Sequence, residues 1–126
     1  MRVVAAVIQS GDEFLACRRS PQKNLAGKWE FPGGKVEFGE TDVEALTREI
    51  KEELSVDVQV GDLVAVSRSI SGPQQIVMYT YFAQLISLKP TYSSDHDQLL
   101  WVTKTGLESL DWAELDIPVI EVLVKD

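Results

Sequence analysis

Gly34, Glu40, Arg48, Glu49, Glu52 and Glu53 are the residues of this chain whose types and spacing could do chemistry. Five residues separate the glycine from Glu40, seven more lead to Arg48, and Arg48-Glu49 is followed by the Glu52-Glu53 pair. Hard divalent cations take carboxylate oxygens and bridge phosphate oxygens while keeping several waters. A glycine-containing loop set against a helix with one arginine and three carboxylates therefore suits Mg²⁺ or Mn²⁺ held against a pyrophosphate. A water on such an ion can be the nucleophile, and a carboxylate left free of metal can take its proton. The expected reaction is cleavage of a nucleotide. Acids at i, i+3 and i+4 also occur on solvated helices, but like charges at i and i+4 cost a few tenths of a kcal/mol. Here Glu37, Glu40 and Glu44 add to them, so a compensating cation is expected. Arg48 could brace a glutamate or neutralise phosphate, and its place beside the acids favours the brace.

These residues need elements to position them. Arg2 to Ile8 reads as a buried strand, Gln9 to Asp12 as a tight turn, and Glu13 to Arg19 as the returning strand. Ser20 to Lys28 is a polar loop leading into Trp29-Glu30-Phe31-Pro32-Gly33-Gly34. From Thr41 the period becomes helical. Thr41 is the expected N-cap, Glu44 completes a capping box, and Val43, Leu46, Ile50 and Leu54 form the apolar face. Glu49, Glu52 and Glu53 fall on a flank of that face. Asp57 to Ser69 and Gln74 to Leu88 read as long strands about a Ser71-Gly72-Pro73 turn, the second being apolar on both faces and so central. Leu99 to Thr103 suggests a short strand and Leu107 to Leu115 a helical or irregular segment. Asp116 to Val124 reads as a last helix entered through Ile117-Pro118.

With 126 residues and 44% hydrophobic side chains the chain suits one domain spanning residues 1–126 with an ordinary core. The longest apolar run, Val3 to Ile8, is too short for a membrane span or signal core, and a cytoplasmic location is expected. Cys17 is the single cysteine, read as a small buried strand residue. A net charge of −8 repels polyanions, so neither a nucleic-acid polymer nor an anionic membrane is an expected partner. A small phosphorylated substrate remains allowed because metal ions offset its charge locally. Monomer and homodimer both remain open.

The segment from Gly34 to Val56 resembles the Nudix box: glycine, five residues, Glu, seven residues, Arg-Glu, an aliphatic, any residue, Glu-Glu, any residue, glycine, an aliphatic. The one departure is Ser55, where the family has glycine. That glycine ends the helix in a left-handed conformation, so Ser55 should cost on the order of 1 kcal/mol or move the helix end, without removing a metal ligand. The preceding Trp29 to Lys35 is similar to the MutT-type branch, and Asp116 to Ile120 is similar to the C-terminal segment of that branch and of bacterial CTP pyrophosphohydrolases. The resemblance implies a Nudix fold, an α/β/α sandwich of the α+β class with a mixed β-sheet between helices.

It also implies roles. Gly34 would offer its carbonyl to a metal, Glu49, Glu52 and Glu53 their carboxylates, with Arg48 as brace. Asp95 stands where relatives place a Glu that is a further ligand or general base, and is one methylene shorter. Arg19 and Lys35 flank the loop and could meet phosphate oxygens. Phe31 could wall the base or belong to the core. Asp116 could read the base or merely cap the last helix. Ionised, it would only accept hydrogen bonds, and so suits a base offering amino or ring N–H donors. His96 is expected in a loop. The implied activity is Mg²⁺-dependent (or Mn²⁺-dependent) hydrolysis of nucleoside triphosphates to monophosphate and diphosphate, acting on CTP, modified dCTP or oxidised guanine nucleotides. A diphosphate derivative such as ADP-ribose is a second reading, and a module that binds nucleotides without cutting them a remote third.

Overall fold

The computed structural model describes residues 1–69 and 74–125. Its elements are β1 (Arg2–Ser10), β2 (Glu13–Arg19), β3 (Trp29–Glu30), β4 (Gly33–Lys35), α1 (Asp42–Leu54), β5 (Val58–Arg68), β6 (Val77–Leu85), β7 (His96–Val102), α2 (Lys104–Glu108) and α3 (Ile117–Val124). Along the main path the sheet runs β3-β2-β1-β6-β5, with β4 pairing β1 and β7 pairing β2. It is mixed, since β1 runs parallel to β6 while its pairings with β2 and β4 are antiparallel.

β1 and β2 are apolar at every central position because the sheet is covered on both faces. Val4, Ala6, Ile8, Leu15 and Cys17 pack with Ala45, Leu46, Ile50 and Leu54 of α1. Their alternating neighbours Ala5, Val7, Phe14 and Ala16 pack on the other side with Leu107, Trp112, Val119, Ile120 and Leu123. The expected layering of helix, mixed sheet and helix is thus present, with Cys17 buried as a free thiol. β6 lies between β1 and β5, inside the sheet as its apolar faces suggested.

Several boundaries differ from expectation. β5 and β6 are shorter than the strands read from Asp57 to Ser69 and Gln74 to Leu88, and the Ser71-Gly72-Pro73 turn lies outside the described residues. β7 begins at His96 rather than Leu99, so His96 is a strand residue. Val43 is exposed at the start of α1, and Ala45 takes its place in the core. Of Leu107 to Leu115, only the first two residues are α-helical, as the end of α2, and a 3-10 turn follows at Glu114–Asp116. Among the described residues no helix is long and apolar enough to cross a membrane.

Candidate active site

α1 begins with the expected capping box: Thr41 accepts from the Glu44 N–H at 3.1 Å while Glu44 accepts from the Thr41 N–H at 2.9 Å. It ends at Leu54 because Ser55 itself takes the left-handed conformation, φ 58° and ψ 33°. The serine therefore bears the strain and leaves the helix end in place. Between the caps, α1 lies against β4, and the antiparallel register Val4↔Gly34 sets that short strand on β1. A methyl group on Gly34 would stand 2.2 Å from Glu49 Oε1, so only glycine lets the backbone and the carboxylate approach so closely.

A cleft of about 270 Å³ opens beside this contact, lined among others by Arg19, Glu30, Gly34, Glu49, Glu53 and Asp95, with Phe31, Met78 and Asp116 toward the α3 side. Seven of the residues singled out in the sequence thus meet in one cleft: Arg19, Phe31, Gly34, Glu49, Glu53, Asp95 and Asp116. Arg48, Glu52 and Lys35 lie outside its lining.

Arg48 is the brace. Its Nε donates to Glu40 Oε2 at 2.7 Å and its Nη2 to Glu40 Oε1 at 2.9 Å, a two-pronged grip. Nη1 donates to Glu49 Oε2 at 3.1 Å and to Glu52 Oε1 at 3.2 Å, and Nη2 to the Lys35 carbonyl at 3.1 Å. One guanidinium thus ties the loop to two acids of the helix. The hydrogen bonds from Arg48, with help from the Glu37 backbone, hold the Glu40 carboxyl down to about 2.

The inner acids are pushed the other way. Burial, with Asp95, Glu49 and Glu30 close by, pushes Glu53 up to about 9. Burial also raises Glu49, against the pull of Arg48. Glu53 Oε2 is buried and accepts no hydrogen bond. A buried, unbonded carboxylate oxygen beside Glu49 and Asp95 is a poor arrangement for a ligand-free protein and a suitable one for a hard cation. The donor set fits a divalent metal, although among the described residues no three acidic, histidine or cysteine groups already converge at coordination spacing. Arg48 keeps Glu49 and Glu52 partnered meanwhile.

On the α3 side, Trp29 N–H donates to the Asp111 carbonyl and its own carbonyl accepts from Ala113 N–H, both at 2.9 Å. This docking brings the 3-10 turn to β3, and Asp116 Oδ1 accepts the Phe31 N–H at 3.0 Å. Its side chain does not cap α3. Burial pushes Asp116 up to about 8, partly opposed by the Phe31 hydrogen bond. A protonated Asp116 can donate as well as accept, whereas the ionised form only accepts. Phe31 is itself buried, stacked on Trp112 with ring centroids 4.8 Å apart, while lining the cleft.

Three cleft features were not evident in the sequence. Lys23 reaches Asp95 across the cleft mouth at 3.6 Å. Glu30 Oε1 accepts from Arg19 Nη1 at 2.8 Å, and its Oε2 faces His96 Nε2 at 2.8 Å. These acceptor bonds outweigh burial and hold Glu30 below the usual carboxylate range. Lysines in polar loops and a glutamate beside tryptophan carry no distinctive spacing that would announce such contacts.

Comparison with known proteins follows the same lines. A family model described as NUDIX domain matches residues 1–123. The chain is 33% identical over 126 residues to CTP pyrophosphohydrolase of Escherichia coli K12, covering 98% of this chain and 91% of that protein. It is 27% identical to 8-oxo-dGTP diphosphatase of the same organism, covering 99% and 97%. The solution structure of the E. coli ORF135 protein superposes with a TM-score of 0.82 at 32% identity, over 96% of this chain and 86% of that one.

Proposed function

Given that this chain belongs to the Nudix family and is a Nudix hydrolase, we propose that residues 1–126 form one catalytic domain that hydrolyses nucleoside triphosphates to the monophosphate and diphosphate. Cytidine-type triphosphates, including modified dCTP, and oxidised guanine nucleotides such as 8-oxo-dGTP are the favoured substrates. Relatives bearing the names CTP pyrophosphohydrolase and 8-oxo-dGTP diphosphatase over nearly their full lengths support this choice. The observation that carries the reading is Glu53 Oε2, buried without a hydrogen bond in a cleft that also holds Glu49, Gly34 and Asp95.

Family membership implies a divalent metal, and Mg²⁺ or Mn²⁺ is our assignment. The Gly34 carbonyl and the Glu49, Glu52 and Glu53 carboxylates would hold it. When bound, it neutralises phosphate charge and acidifies a water. The protein's own groups do the rest. Arg48 holds Glu49 and Glu52 on the α1 flank, Arg19 and Lys23 present positive charge in the cleft lining, and Lys35, next to Gly34 in β4, would be a further cation for phosphate. Asp95 takes the proton as water attacks the β-phosphorus. The bond from that phosphorus to the oxygen bridging to the α-phosphate breaks, and the nucleoside monophosphate leaves with that oxygen.

Asp116 and Phe31 frame the far end of the cleft, where the base would lie. A protonated Asp116 offers one donor and one acceptor, which matches the ring nitrogen and amino group of cytosine; the ionised form matches two adjacent N–H donors. The test is a nucleotide panel with Mg²⁺, scored for diphosphate against phosphate release, run on the wild type and on Glu53→Gln. Diphosphate from CTP or 8-oxo-dGTP, lost in the variant, is expected. Turnover of ADP-ribose without triphosphate turnover overturns the substrate assignment, and unchanged turnover in the variant overturns the site.

A further inference from the structure

We infer that His96 is a positioning residue which, through Ser93 on one side and Glu30 on the other, holds Asp95 and Arg19 in one frame. This rests on the hydrolytic reading above.

The origin is a break in strand register. β2 and β7 pair regularly from Phe14↔Val102 to Arg18↔Gln98, then slip so that Arg19 faces His96 and Asp97 is skipped. Leu99 and Trp101 pack on the α1 side of the sheet, Leu100 and Val102 on the α3 side. Unbroken alternation would send His96 to the α3 side with the even-numbered residues. The bulge turns it to the face that Arg19 shares with Cys17. Glu30 stands on that face too, because its cross-strand partner is Cys17.

Four hydrogen bonds then run in sequence from one cleft group to another. The Asp95 N–H donates to Ser93 Oγ at 3.2 Å, and Ser93 Oγ lies 2.8 Å from His96 Nδ1. His96 Nε2 lies 2.8 Å from Glu30 Oε2, and Arg19 Nη1 donates to Glu30 Oε1 at 2.8 Å. A single assignment satisfies every member: the ring carries its proton on Nε2 and gives it to Glu30, while Nδ1 accepts the Ser93 hydroxyl. Asp95, Arg19 and Glu30 line the cleft; His96 and Ser93 do not. The imidazole is 1% exposed, so it touches no substrate, and loss of either partner leaves a buried polar atom unbonded. A second tie, Ser94 N–H to the Glu53 carbonyl at 3.0 Å, fastens the same segment to the end of α1. Asp95 is thereby held against two elements that also carry site residues.

The experiment uses the full chain in Mg²⁺ with its best triphosphate, comparing wild type, His96→Ala, His96→Gln, Asp95→Asn and the His96→Ala/Asp95→Asn double variant. His96→Ala should lower kcat/KM about 10- to 100-fold, as loss of supporting contacts does at other sites. His96→Gln, which keeps a donor toward Glu30, should recover part of it. In the Asp95→Asn background His96→Ala should cost less than alone, because the part of its effect that passes through Asp95 is already lost and only the Arg19 arm remains. A second readout needs no turnover: in ligand-free protein, Ser93→Ala and His96→Ala should both speed amide hydrogen exchange at Ser94 and Asp95, leaving the middle of α1 protected. Additive losses in the cycle, or unchanged exchange at those two amides, overturn the inference. A wild type with no triphosphate turnover sinks the substrate reading alone, and the exchange measurement still decides whether His96 holds the segment.

Discussion

Glu53 has the environment that most constrains what this protein can do. Its carboxyl is held up to about 9 by burial and by neighbouring acids, while an unfolded chain titrates near 4.3. The folded protein keeps the proton longer, so this group's contribution to stability falls as pH rises between those two values, by at most about 1.4 kcal/mol per pH unit. Asp116, raised to about 8, acts with the same sign between about 3.9 and 8. In chelator, thermal denaturation of the wild type should therefore drop in midpoint from pH 5 to pH 8, and Glu53→Gln or Asp116→Asn should each flatten that slope. A wild-type midpoint that climbs over this range contradicts the burial argument. In metal buffer, Glu53→Gln should also lower kcat by roughly 100-fold or more, since the carboxylate we propose as a metal ligand, and its charge, are lost. Asp116→Asn should leave the metal site intact and act instead on selectivity, measured as the ratio of kcat/KM for CTP to that for 8-oxo-dGTP.

The helix α1 and the strand β4 form the frame in which the acids stand. Ser55 occupies a left-handed position at the helix end, and Ser55→Gly should raise stability by roughly 0.5–1 kcal/mol, read from chemical denaturation midpoints. At the other end, Thr41→Ala removes the capping box and should cost about 1 kcal/mol with kcat unchanged. Gly34→Ala is the opposite case. Its methyl would meet the Glu49 carboxylate and displace it, so turnover should fall by about an order of magnitude or more while circular dichroism stays that of the wild type. An active Gly34→Ala enzyme would mean that the close approach is dispensable.

At the scale of the whole molecule, the sheet carries a separate apolar cluster on each face, and the cleft joins both. Glu49 and Glu53 come from the α1 side, Phe31 and Asp116 from the α3 side. Metal and nucleotide should accordingly act on global stability. Saturating Mg²⁺ should raise the melting midpoint more at pH 8.5 than at pH 6, because a carboxyl titrating near 9 must lose its proton to bind. A shift of equal size at both pH values would place the metal on acids other than Glu53.

From the order of residues alone followed the acid–arginine pattern of α1, its capping box and the buried character of β1. These are local runs, periodicities or spacings within one element, and they survive in a linear reading; the layered class of the fold followed from the resemblance to the Nudix family. The partnership of Glu30, His96 and Arg19 did not. It depends on a skipped residue in the β2–β7 ladder that turns His96 to the other face, and no linear pattern marks that slip. Asp116 is similar: its residue type left a base contact and a helix cap both open, while the docking of Trp29 on residues 111 and 113 buried it and set its Oδ1 to accept the Phe31 N–H. Covalent spacing decided which groups sit on one helix; long-range packing decided which of them are stripped of water, and hence which hold protons at neutral pH.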